Sequence, residues 1–370
     1  MENDANKSMR IKSIDAARGF ALILMIQQHV FYCLWKIPYS RLRKAPLDYP
    51  AGIIFNLPGG LAAPLFIFLA GTGLFIAKER SPYDLIVRGS VIIAAGVILN
   101  FIVSEWLFPA SWYVLHLIGF CVLAGVFFRR LNKKSLAVFA FLALFAGPAG
   151  QSLLNTPEFM NTARMSTAEG IAGYLKIMFF EGQFPVFPWL GIFLVGGICG
   201  RFIREKNEAG FIITGLLMTI AGVAAVFPGY FTSFPSDFDI ELHRFFAFRA
   251  GIFPVFFPTV TILGALAILI TLSFFFMEKK GYARLFQFLV PAGRVSLSFL
   301  FIHLIIFRQV GPLLGFYKKF STIPTVVMTL FFTAGFVAAA ALWMKNGYKF
   351  GLEWLIKLAG AVMSRRALKD

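Results

Sequence analysis

The sequence predicts an all-α membrane bundle of about ten transmembrane helices, and three observations carry that prediction. Hydrophobic residues make up 58% of the 370 and charged residues only 14%. An ordinary soluble domain carries about 25% charged residues, so these charges are too few to coat a globular surface. Mean hydropathy is +0.76. The apolar residues also gather into stretches of about 20, the length that crosses a bilayer as a helix. A soluble enzyme, a disordered chain and a disulfide scaffold are excluded. The stretches use so much of the chain that we read one membrane domain over 1–370, with residues 345–370 as its tail.

The stretches lie near 17–36, 56–77, 87–106, 112–128, 136–154, 184–203, 210–228, 253–277, 289–310 and 324–344. The first follows a basic segment, lacks a small-residue cleavage site and ends at Trp35-Lys36. It reads as a retained helix, not a signal peptide. The second and sixth contain the loosely similar runs Pro64–Gly71 and Pro188–Gly196, too weakly alike to mark an inverted repeat. The fourth opens at Trp112-Tyr113 and stops before Arg129-Arg130. After the tenth, Leu352, Leu355, Ile356 and Ala359 alternate with basic residues, the pattern of an amphipathic helix on the inner leaflet.

Charge orients the bundle. Most of the 35 Lys and Arg residues fall on the side of the N-terminus, for example Arg129, Arg130, Lys133 and Lys134, then Arg201, Arg204 and Lys206. The positive-inside rule then predicts both termini in the cytoplasm. Lys36, Arg41, Arg43 and Lys44, in the first outer connection, run against this trend. The net charge of +17 therefore reads as topology and not as a nucleic-acid footprint. A basic inner face also attracts an anionic cytosolic substrate or anionic lipid. The outer connections hold acids: Glu158, Glu169 and Glu181 in one, and Asp237, Asp239 and Glu241 with His243 among many Phe in another. Such aromatics are membrane-belt anchors or a surface on which a sugar stacks. Cys33, Cys121 and Cys199 sit in apolar stretches without CxxC spacing, so neither a disulfide framework nor a metal site is expected.

The chain has four histidines, and on this topology all lie in the outer half or outside. Ionisable groups at membrane depth are costly and line cavities or bundle interiors. His29 and Arg18 are eleven residues apart, so they share a face of the first helix about 16 Å apart along its axis. Asp15 is spaced to pair with Arg18. Ser296 and His303 share a face of the ninth helix. Asn100 and Glu105 end the third helix, within possible reach of His116 at the start of the fourth. His29 is the candidate general base, since histidine is suited to proton transfer near neutral pH. Arg18 reads equally as a snorkelling anchor.

The run Arg10–Met25, the stretch Pro64–Gly73, Phe187–Gly191, Gly293–Ser298 and the closing Phe350–Leu355 together resemble the heparan-α-glucosaminide N-acetyltransferase family and its bacterial relatives, within the transmembrane acyltransferase superfamily. The ten residues between Arg18 and His29 also match the Arg-then-His spacing of the acyltransferase-3 branch. The heparan branch would carry Asn where His29 stands and its essential His in the loop after the first helix. This chain has no His between His29 and His116, which shifts the catalytic expectation to His29. The resemblance implies a ten-helix core, a cytosolic acetyl-CoA donor and a sugar or glycan acceptor across the membrane. It implies His29, His303 and His116 as catalytic candidates, and Asp15, Arg18, Asn100, Glu105, Arg294 and Ser296 for substrate and donor. The expected partners are membrane lipids, acyl-CoA and a glycan acceptor, with a homodimer allowed and no nucleic acid; the expected location is a bacterial cytoplasmic membrane. Two alternatives stay open on the residues alone: a transporter or flippase for a small molecule or lipid-linked sugar, and a non-catalytic scaffold of the same fold.

Overall fold

The computed structural model describes residues 11–38, 46–77, 81–103, 108–156, 170–231, 244–246 and 256–366. Among them nine helices are long and apolar enough to cross a membrane. They are α1 (Lys12–Leu34), α2 continuing into α3 (Pro50–Gly59, Ala62–Ile76), α4 (Pro82–Ile102), α6 (Lys133–Leu153), α8 (Val186–Arg204), α9 (Glu208–Phe231), α10 (Phe257–Lys279), α12 and α13. Here α12 is Ser296–Ile305, extended by a π turn over Ile306–Val310 and a last turn at Gly311–Leu313, and α13 is Thr322–Lys345. The fourth apolar stretch differs from expectation. Its helix, α5, covers only Val114–Phe128, roughly 22 Å at 1.5 Å per residue. The preceding residues, Ser111–Tyr113, run non-helical, which shortens the helix. The ninth stretch is also broken: a short α11 (Leu289–Arg294) precedes α12. Short α7 (Gly170–Lys176) and α14 (Leu352–Arg366) complete the set.

Successive spans alternate in direction, so their ends sort to two faces. We call the face holding the start of α1 the basic end, and the other the far end. α1 is the centre of the bundle, with α2, α3, α10, α11, α12 and α13 around it. That position explains why it buries residues on nearly every side, among them Ala16, Ala17, Ala21, Leu22, Ile26 and Val30. Most lipid-facing apolar side chains, such as Phe141, Leu216 and Phe331, belong to peripheral helices.

Glycine lets two helix pairs touch through their backbones. A Cβ at Gly19 would strike the carbonyl of Leu289, and one at Gly293 the carbonyl of Asp15, so α1 and α11 meet at the basic end with no side chain between. Gly71 on α3 and Gly196 on α8 form the same kind of contact against Phe193 and Phe68. Close packing of small residues is a main source of helix association in lipid, where burial of apolar surface gives no net gain. At the far end, the segment before α13 lies along the end of α1: Phe320 N–H donates to Leu34 O (3.0 Å), Lys36 N–H to Phe320 O (2.9 Å) and Lys318 N–H to Cys33 O (2.8 Å). These bonds satisfy carbonyls that the last turn of a helix leaves open. The tail helix α14 docks on α4 and α12, burying Ile356 and leaving Leu355 and Leu358 exposed.

Candidate active site

His29 and His303 meet in the bundle. Their rings stack with centroids 5.1 Å apart and an interplanar angle of 20°, and His29 Nδ1 lies 2.8 Å from His303 Nε2. The protons can be assigned from chemistry. His303 Nδ1 lies 2.7 Å from the carbonyl of Phe299. A carbonyl only accepts, so Nδ1 of His303 carries the hydrogen. In the neutral ring Nε2 then holds the lone pair and accepts from His29 Nδ1–H. The lone pair of His29 is thereby set on Nε2, the outward nitrogen of the pair. His303 is fully buried, while His29 keeps part of its surface accessible. In such a pair one imidazole fixes the orientation and tautomer of the other.

At the basic end of α1, Asp15 is buried between two guanidiniums. Arg18 Nη1 is 3.7 Å and Arg294 Nε 3.3 Å from its carboxylate. The close approach of α1 and α11 at Gly19 and Gly293 brings these three together. Arg18 also donates to Leu69 O (3.2 Å) and lies where a Cβ on Gly73 would stand. Among the described residues, these two guanidiniums flank one carboxylate about 16 Å along α1 from His29.

Both helices that carry the paired histidines, α1 and α12, receive a carboxylate from another element at their first turn. Glu278, at the end of α10, accepts from Lys12 N–H (3.2 Å) and Ser13 N–H (2.8 Å) of α1. Glu353, on α14, accepts from Leu297 N–H (2.7 Å) and Ser298 N–H (3.3 Å) and from the Ser298 hydroxyl of α12. A carboxylate there satisfies orphan donors and complements the helix dipole. Burial pushes the Glu353 carboxyl above its ordinary range, against the opposing pull of those hydrogen bonds.

A cationic and aromatic cluster stands beside the dyad. The π turn after His303 presents Arg308, whose Nη1 donates to Tyr317 Oη (2.9 Å) and whose guanidinium lies over Tyr32 (5.3 Å). Lys318 Nζ lies over the same Tyr32 ring, 3.6 Å from its centroid. Burial, with a smaller push from Arg308 and an opposing pull from Cys33, lowers the Lys318 ammonium to a pKa of about 8.

The remaining candidates lie apart. His116 is buried between α4 and α5 against Gly96, with Tyr113 N–H aimed at its Nδ1 (3.5 Å) and Trp112 beside its ring (5.4 Å). Its contacts close its own helix and do not reach the dyad. Asn100 is buried and ties down the segment before α5 by donating to Ser111 O (2.8 Å) and Pro109 O (3.3 Å). Ser296 opens α12 at the basic end. Glu105 and His243 lie outside the described residues. No group of three or more His, Cys, Asp or Glu able to hold a metal occurs among the described residues. The sequence reading passed over Glu278, Arg308, Lys318 and Tyr32. The first three look like ordinary charges at span ends; Glu353 lay within the closing motif, but its role as a cap depends on the fold.

The model for heparan-alpha-glucosaminide N-acetyltransferase, catalytic, matches residues 10–235, more than half of the chain. A second model, described as a protein of unknown function (DUF418), matches residues 202–361. No curated protein matches the chain.

Proposed function

The chain belongs to the heparan-alpha-glucosaminide N-acetyltransferase family, and from that premise we propose that it moves an acyl group, acetyl by family default, from acyl-CoA at the basic end to a sugar or glycan hydroxyl or amine at the far end. The basic end would face the cytoplasm, in a bacterial cytoplasmic membrane. The observation that carries this reading is the dyad: an accessible His29 whose lone pair is set on Nε2 by a buried His303.

In the reaction, Nε2 of His29 takes the proton from the acceptor as its oxygen or nitrogen attacks the thioester carbonyl. The positive charge that develops on His29 is shared toward His303 through Nδ1–H. As the tetrahedral intermediate collapses, the C–S bond breaks and the proton on Nε2 passes to the leaving CoA thiolate. A base so placed contributes about 10²- to 10⁴-fold. Nε2 is equally placed to attack the thioester first and carry the acyl group itself, which resembles nucleophilic catalysis by histidine in general. Arg18 would contact the donor or, paired with Asp15, shape its channel. The distance from Arg18 to His29 is one that an extended pantetheine arm covers.

The test uses purified protein, labelled acetyl-CoA and a panel of amino sugars and glycans. CoA should stabilise wild type and His29→Ala alike against thermal unfolding, by about 2.7 kcal/mol at a hundredfold excess over Kd. Transfer should occur with wild type only. Full transfer by His29→Ala would remove the dyad from the mechanism. Release of one CoA per enzyme without acceptor would favour the acyl-histidine route.

A further inference from the structure

Where α3, α4, α5 and α8 meet at the basic end, a cleft of about 570 Å³ opens. Four arginines line it: Arg129 and Arg130 follow α5, and Arg201 and Arg204 close α8. Phe75 of α3 supplies apolar wall. No acidic residue among the described ones lines the cleft. Among the described residues, the nearby carboxylates have cationic partners of their own. Asp84 binds Arg88 (2.8 Å), and Glu205 binds Lys133.

Four like charges in one concavity repel one another, and the chain holds two of them in place. Arg201 is buried, lies over Phe75 (5.1 Å) and donates to Arg129 O (2.9 Å). Arg129 donates to Ala77 O (3.1 Å). Arg130 and Arg204 are exposed at the rim. Anchoring a helix end at the membrane surface asks only for positive charge near water. It does not ask for guanidiniums converging on one recess, or for one of them to be buried. Convergent planar forks are instead the way proteins grip phosphate oxygens two at a time. The cluster at Asp15 differs, because a carboxylate already sits between its two arginines.

We propose that this cleft is a phosphate-binding site, taking a phosphate monoester, phosphate diester or diphosphate among Arg129, Arg130, Arg201 and Arg204 with Phe75 as its apolar wall. Two molecules present such groups at this end of the bundle: the nucleotide end of an acyl-CoA and the headgroup of an anionic phospholipid. The first source rests on the acyltransferase reading; the second does not.

The full-length protein is placed in nanodiscs of neutral phosphatidylcholine, and its thermal unfolding is followed with CoA and with adenosine 3′,5′-bisphosphate. A parallel set of discs contains phosphatidylglycerol. Wild type is compared with the rim variants Arg130→Gln/Arg204→Gln and Arg130→Lys/Arg204→Lys, chosen because these side chains are exposed. If the nucleotide is the ligand, both nucleotides stabilise wild type in neutral discs, and their apparent affinity falls about tenfold or more in the Gln pair. The Lys pair, which keeps topology and charge, also loses affinity because it lacks the fork. If the lipid is the ligand, phosphatidylglycerol alone stabilises wild type, and the Gln pair loses that gain. Wild type that responds to neither probe, or a Gln pair that responds to both as wild type does, overturns the site. CoA that stabilises the Gln pair as strongly as wild type refutes the cleft as the donor's site and leaves the acyltransferase reading standing. A lipid response lost in the Gln pair, with no CoA response anywhere, does the reverse.

Discussion

At His29 the proposed chemistry comes down to one nitrogen, and its availability depends on a residue that never touches the substrate. The Phe299 carbonyl sets the tautomer of His303, and His303 sets that of His29. Under the proposed mechanism His303 is a positioning residue. His303→Ala should lower kcat by roughly ten- to hundredfold with the KM for donor unchanged, while His29→Ala removes activity. Steady-state kinetics decide it, and a rise in KM at intact kcat would contradict the role. Lys318 makes a prediction about pH. Its pKa is lowered to about 8, chiefly by burial. The unfolded chain therefore binds more protons than the folded one from there up to the ordinary lysine range. Stability gained from this group is present at high pH and is lost as pH falls through about 8. Unfolding of wild type and Lys318→Met between about pH 7 and about pH 10 should show the rise with pH only in wild type. At this scale the sequence was half legible. His29 and His303 stand out because histidine is rare at membrane depth, but their pairing joins positions 274 residues apart, which no periodicity encodes. Arg308 and Lys318 look like ordinary cations at span ends until the π turn and the segment before α13 bring both to Tyr32.

At the level of helices, both imidazoles ride on elements whose first turns are finished by borrowed carboxylates. Glu353→Ala leaves the N–H groups of Leu297 and Ser298 and the Ser298 hydroxyl without that acceptor. It should cost about 1–2 kcal/mol of stability. Glu353→Gln keeps an acceptor oxygen and avoids burying a charge, so it should be close to neutral. Because burial raises this carboxyl, its contribution is present below the ordinary carboxylate range and lost as pH rises through the raised value. The Gln variant should lack that slope. Thermal unfolding across acidic pH checks both expectations. Gly293→Ala should be more damaging, because its Cβ meets the backbone carbonyl of Asp15 and not a yielding side chain. We expect about 1–3 kcal/mol of overpacking cost and displacement of Asp15 from Arg18 and Arg294, read as lower stability. The spans themselves were legible from hydropathy, since length and apolarity dictate them. The interruption between α2 and α3, the break at Val295 and the π turn after His303 were not. The first follows Pro58, Gly59 and Gly60, which interrupt the helix locally, and hydropathy averages over all three.

For the molecule as a whole, the alternating direction of the spans places both the arginine cleft and the Asp15 cluster at one end, with the dyad displaced toward the other. If positive charge sets orientation, a cysteine introduced at Lys345 should react with a membrane-impermeant maleimide only after the cell is opened. One at Ser321 should react from outside. Cys33, Cys121 and Cys199 are buried, so the wild-type background should be low. Labelling of the two sites from the same side would overturn the two-ended arrangement. The expected orientation rests on the distribution of Lys and Arg; the convergence of four arginines was not legible, because they come from two helices separated in sequence. The distance between the paired histidines has a last consequence, which concerns synthesis. A ribosome delivers α1 long before α12. Until α12 slides in beside α1, His29 has no His303 to orient it, and until α14 is made, Glu353 cannot finish α12. On this reading a nascent chain that carries α1 in the membrane but not yet α12 and α14 is inert toward acyl-CoA.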